Sequence, residues 1–141
     1  HDILELTEWI CESDAERALS ENRTYATWQE GFLSIFNMIK KDKNFIINIY
    51  RNVPSDYLHR YLYKATYQLL YNVLEEKAKG MVIREDDKAF IANFYKYGFV
   101  GLLLEWIDNG MKDEPALIVE RLNSLIQGNF EQALNNAKLN K

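Results

Sequence analysis

The stretch Ala89–Gly110, AFIANFYKYGFVGLLLEWIDNG, decides how this chain folds. It is long enough for a helix, yet apolar or aromatic residues occur on nearly every side of it. A surface helix of an ordinary domain carries one apolar stripe with polar residues opposite. This one must bury at least two faces, either at the centre of a domain or between its own core and a second chain. Gly98 and Gly101 sharpen that expectation, because glycine inside a helix costs about 1 kcal/mol relative to alanine. Such positions make sense where another backbone comes close.

Outward from this segment the period stays helical, with no sustained strand alternation. Residues 2–19 form a first amphipathic helix, with Ile3, Leu6, Ile10 and Cys11 on its apolar face. Thr27-Trp-Gln-Glu30 has the form of a capping box, with Thr27 as N-cap and Glu30 reaching back to it. After it Trp28, Phe32, Ile35, Phe36 and Ile39 fall within about 100° of arc, a helix that ends near Lys41. Asn44–Arg51 reads as a short apolar helix halted by Pro54. Ser55 and Asp56 open a long helix to about Lys79, stopped by Gly80 and so rich in Tyr and Leu that it too should be largely enclosed.

Arg84-Glu-Asp-Asp87 leads into the opening segment, and Gly110 ends it. Pro115, behind Asp113 and Glu114, marks the first turn of a last helix. Along that helix Ile118, Val119, Leu122, Leu125, Ile126, Phe130 and Ala133 fill an arc of about 140°, and the polar tail from Asn135 should fray. The expected fold is all-α: an antiparallel bundle of about six helices in a single domain over residues 1–141.

Composition narrows the function. The chain is 48% hydrophobic and 27% charged, with no low-complexity tract, as a globular domain of 141 residues should be. A net charge of −4 argues against an extended nucleic-acid footprint, which needs clustered Lys and Arg. The basic runs Lys40-Lys41-Asp42-Lys43 and Lys77-Ala-Lys79 fall at expected helix ends, where cations complement the helix dipole. One cysteine, Cys11, forbids an internal disulfide and suits a reducing cytoplasm. Asn93, Lys96 and Glu105 interrupt the 89–107 run, so no membrane span is expected.

Signatures of catalysis are missing: no G-x-S-x-G, H-E-x-x-H, glycine-rich phosphate loop or Cys-x-x-Cys. Asp56 and His59 stand at i,i+3 and could supply two metal ligands, but a di-metal bundle needs that motif twice. A structural contact in a first helical turn is the simpler reading, and no cofactor or metal is expected. Glu75-Glu76 and Asp86-Asp87 read as solvated helix ends. Nine Tyr, seven Phe and three Trp either pack the core or line a small-molecule cavity. Pocket candidates, where amphipathic helices face the 55–79 helix, are Phe32, Phe36, Tyr61, Tyr67 and Asn93. Asn93 stands out because an amide in an apolar run needs a partner.

The run from Phe90 to Leu122, FIANFYKYGFVGLLLEWIDNGMKDEPALIVERL, resembles the C-terminal half of TetR-type bacterial transcriptional regulators. It is most similar to the branch that includes regulators of dihydroxyacetone kinase operons. Phe94, Gly98, Gly101, Leu102, Leu103, Trp106 and Ile107 carry the likeness, with Gly110 and the Asp113-Glu114-Pro115 start. Residues 44–75 resemble the family's middle helices more weakly, and His1–Ile10 its connecting helix. The family's N-terminal helix-turn-helix domain is not in this sequence, which opens His1-Asp2, so a regulatory fragment is expected.

The resemblance implies that the last two helices pair with those of a second subunit as a four-helix bundle. Gly98, Gly101, Leu102, Trp106, Ile118, Leu122 and Leu125 are the residues expected at that homodimer interface. It also implies an enclosed site for an unknown small-molecule effector, DNA contact only through the missing domain, and no enzymatic activity. The alternative is a helical interaction module that binds a co-regulator protein and no small molecule. A helical enzyme centred on His59 is a third reading, and a His59→Ala variant unchanged in every property would remove it.

Overall fold

The computed structural model describes residues 27–52 and 56–139, and the connecting helix expected at 2–19, Cys11, Pro54 and Ser55 lie outside them. Among the described residues there are six helices: α1 Trp28–Lys41, α2 Lys43–Asn52, α3 Asp56–Lys77, α4 Glu85–Asp108, α5 Pro115–Ile126 and α6 Asn129–Ala137. The fold is all-α. Local chemistry sets most of the boundaries. Thr27 is extended, and its hydroxyl accepts the Glu30 N–H at 3.3 Å, the first half of the expected capping box. Lys40 and Lys41 occupy the last turn of α1, opposite in sign to the dipole's negative end.

The end of α4 is a complete stop. Gly110 sits at φ +79°, its N–H donates to the Ile107 carbonyl at 3.0 Å, and the Met111 N–H reaches the Trp106 carbonyl at 2.8 Å. This pair of bonds satisfies carbonyls that the helix end leaves free, in a backbone conformation that glycine adopts without strain. Pro115 then takes the first position of α5, where its missing N–H costs nothing.

The core is aromatic and layered around α1, α3 and α4. Phe32, Ile35 and Phe36 of α1 are fully buried, as are Leu62, Ala65, Leu70 and Leu74 of α3 and Val100 and Leu103 of α4. Phe32 packs against Phe36 at 4.9 Å and against Phe99 at 4.7 Å between ring centres. Among the described residues α3 and α4 share the most extensive helix–helix contact, while α5 packs chiefly on α1. α3 is less enclosed than its composition suggests. One face is buried, Tyr57, Tyr63, Tyr67 and Tyr71 are half-buried along a flank, and His59, Arg60 and Lys64 are exposed.

The expected last helix is two helices. Gly128, at φ +82°, breaks it between α5 and α6. The turn carries Phe130 inward, where it meets Tyr95 edge-on at 4.9 Å and Trp28 at 6.2 Å. The polar tail is also more ordered than its sequence suggests. α6 continues to Ala137, and the Leu139 N–H donates to the Val82 carbonyl at 2.8 Å, tying the chain to the α3–α4 connection.

Candidate functional site

The five residues expected to line a pocket fall in two places. Phe32 and Phe36 are 0% exposed and are consumed by the core, Phe36 also meeting Trp106 at 4.8 Å. Tyr61 is buried with them. Tyr67 and Asn93 come together elsewhere, on the outer seam between α3 and α4. There the Lys96 ammonium donates to Asn93 Oδ1 at 3.0 Å and lies over the rings of Tyr63, Tyr67 and Tyr97. Asn93 is exposed, so the partner its amide needs is a lysine one turn along its own helix.

A cleft of about 880 Å³ opens instead between the start of α1, the last turns of α3 and the α5–α6 junction. Its apolar surface comes from Trp28, Val73, Ile126 and Phe130. Gln29, Asn72, Asn123 and Gln127 add four amides, and Gln29 Nε2 donates to Asn123 Oδ1 at 2.8 Å, fastening α1 to α5. Glu75, Glu76 and Glu131 add carboxylates, and each is paired with an ammonium, that of Lys88, Lys79 and Lys77 in turn. Lys77 pairs with Glu131 and holds that carboxyl below its ordinary range.

Glu75 belongs to a second group as well. Lys88, in the opening turns of α4, is 7% exposed and places its ammonium 2.8 Å from Glu75 and 2.9 Å from Glu85. The Tyr71 hydroxyl donates to Glu85. A carboxylate holding the phenol proton pushes the Tyr71 pKa up to about 12, and hydrogen bonds from Lys88 and then Tyr71 lower that of Glu85. The Glu75 and Glu85 carboxylates raise that of Lys88. A buried ammonium of this kind is stable only with its anions in place. Reading Glu75 as a solvated helix end missed this group. The signal was in the register: Lys88 precedes the buried Ala92 by four residues and so shares its face.

The interface candidates fall into three groups. Gly98 and Gly101 are exposed on α4, and a Cβ added at either meets nothing within 4 Å. Leu125 is 77% exposed, while Leu102, Ile118 and Leu122 are half-buried. Trp106 lies inside the chain at 2% exposure, and its indole N–H donates to the Asp113 carbonyl at 2.9 Å. The exposed face of α4 also carries Phe90 at 74%, Phe94 at 68% and Tyr97 at 61%, and Leu117 is 59% exposed on α5. Of these four, the sequence reading marked only Phe94, as part of the family likeness, and none was expected at the interface.

Asp56 and His59 are both exposed, and among the described residues no group of three His, Cys, Asp or Glu side chains could hold a metal. Among them, too, no helix is long and apolar enough to cross a membrane. Comparison with curated proteins and with solved structures finds no match to this chain. A family model for the C-terminal region of TetR-type transcriptional regulators matches residues 26–128. That match spans α1 to α5 and covers well over half of the sequence. The chain therefore belongs to the TetR-type transcriptional regulators, as a non-enzymatic regulatory domain from their C-terminal region.

Proposed function

We propose that this domain joins two regulator subunits through α4 and α5 and senses a small-molecule effector for a DNA-reading domain that precedes residue 1. The observation that carries the pairing is the outer face of α4. Phe90, Phe94 and Tyr97 recur there at helical spacing beside Gly98 and Gly101, and all five are exposed. Among the described residues nothing uses the space that the glycines leave, and a glycine inside a helix carries a helix-weakening cost. A second α4 approaching across a two-fold axis would use it, and each buried aromatic would then count twice.

The proposed mechanism is a population shift. An effector that prefers one arrangement of the helices favours that conformer, and the segment before Thr27 passes the change to the DNA-reading heads. Half-site spacing on DNA is fixed, so a small displacement of paired heads changes operator affinity. We place the domain in the branch that includes dihydroxyacetone kinase operon regulators on the resemblance of Phe90–Leu122, and in the cytoplasm on its single cysteine.

A second reading has one observation in its favour. Phe32, Phe36 and Tyr61 fill the core rather than line a cage, as in a module that binds a co-regulator protein through its surface. Native mass spectrometry separates the readings. The first predicts a dimer that carries or accepts a small molecule. A dimer that accepts none, yet captures a protein, would favour the second.

A further inference from the structure

We propose that the cleft beside the start of α1 binds an uncharged carbohydrate, held by the free ends of the amides that line it. The proposal rests on the effector-sensing reading and names the chemical class of the effector. The charges on the cleft wall are already answered from within the chain: Glu75 by Lys88 at 2.8 Å, Glu76 by Lys79 at 3.0 Å, and Glu131 by Lys77. An ionic ligand would have to break one of these pairs, whereas a neutral one leaves all three in place. What remains open on the wall is amide. Gln29 Nε2 donates to Asn123 Oδ1, and Asn72 Oδ1 accepts from Gln68 Nε2 at 3.1 Å. No described residue takes up the other ends of these groups: Gln29 Oε1 as an acceptor, Nδ2 of Asn72 and Asn123 as donors, and both ends of Gln127. Donors and acceptors side by side match hydroxyl groups, each of which is both at once.

The apolar side of the cleft selects further. Trp28 and Phe130 are 6% and 3% exposed, with their rings packed on each other and on Phe99, so no open ring face awaits a flat aromatic ligand. Half-buried Val73 and Ile126 offer a small apolar patch, of the kind that the C–H groups of a pyranose cover. At about 880 Å³ the cleft has the size of a small-molecule site. Its position gives the ligand leverage, because Gln29 and Asn123 belong to α1 and α5. Hydroxyls that engage the free ends of this pair brace α1, which follows the segment leading to the DNA-reading heads, against α5, one of the helices proposed to meet the second subunit.

The test is an NMR titration of the 141-residue chain with glucose, galactose and maltose, against benzoate, spermidine and benzyl alcohol. At least one sugar should shift the side-chain amides of Gln29, Asn72, Asn123 and Gln127 saturably, with an affinity unchanged between about 0.05 and 0.5 M salt. Gln29→Ala should weaken that binding about tenfold, as the loss of one hydrogen-bonding partner does, while Glu131→Gln should leave it unchanged. If Gln29→Ala loosens the fold, Gln127→Ala removes an exposed amide and serves in its place. Saturation should also slow hydrogen exchange across residues 115–126, and unchanged exchange there would overturn the bracing. Binding that salt or Glu131→Gln abolishes, or shifts with benzoate, spermidine or benzyl alcohol and with no sugar, would overturn the ligand class and leave effector sensing standing. Sugar binding indifferent to both amide variants would overturn the site. No shift with any of the six would overturn the cleft as a site. A small molecule retained by the chain in native mass spectrometry would then keep effector sensing, and its absence would count against both.

Discussion

Replacing Gly98 and Gly101 together by alanine should stabilise one chain while weakening the association of two. Both glycines lie in the interior of α4 at ordinary helical φ, and an added Cβ meets nothing within 4 Å among the described residues. Each change should then return the helix-propensity difference, about 1 kcal/mol, or about 2 kcal/mol per chain for the pair. For a domain of this size that raises the melting temperature of the dissociated protein by roughly 5–10 °C. In the dimer the same two methyls stand in the seam of both subunits, where overpacking costs about 1–3 kcal/mol per insertion. The dissociation constant should therefore rise by at least about tenfold. Thermal unfolding at low concentration reads the first effect, and sedimentation equilibrium reads the second. A double variant that melts higher yet associates as tightly as the parent would move the seam away from these glycines. One that melts lower would show that the space beside them is already occupied.

Trp106→Ala should act on the fold of each chain. It removes a buried ring packed on Phe36 and the hydrogen bond to the Asp113 carbonyl, a loss of about 3–5 kcal/mol in urea unfolding. Loss of dimerisation at full monomer stability would instead put Trp106 in the seam. Acid should weaken the domain through Glu131, whose carboxyl is held low first by Lys77. Its contribution is complete above the ordinary carboxylate pKa of 4.5 and is lost as pH falls through the lower folded value. Urea unfolding followed between about pH 6 and pH 3 should show that loss, and Lys77→Gln should flatten it. An unchanged slope in Lys77→Gln would assign the acid sensitivity to other groups.

The fold was legible wherever a single backbone rule decides the outcome. Thr27, Gly110 and Pro115 mark helix ends because a hydroxyl, a left-handed turn and a missing N–H each act locally. Gly128 escaped notice because it lies inside an unbroken apolar period, where a glycine reads as a tolerated weak point. Its left-handed turn is selected by what it delivers, Phe130 against Trp28 and Tyr95, and that contact is tertiary. The site was less legible for a related reason. Aromatic residues at helical spacing look alike whether they fill a core, as Phe32 and Phe36 do, or line a cavity. Spacing alone does separate Trp106 from the outer face, since it stands about 120° around α4 from Phe94. Charge misled in the opposite direction: Glu75 looks like one of two solvated neighbours until Lys88 folds onto it from a helix thirteen residues away.

Sedimentation equilibrium of the unmodified chain tests the central claim most directly, because the proposal gives the outer face of α4 to a second copy. At a concentration of about tens of micromolar the account predicts a species of twice the chain mass, dissociating reversibly on dilution. A chain that remains monomeric throughout that range would contradict it.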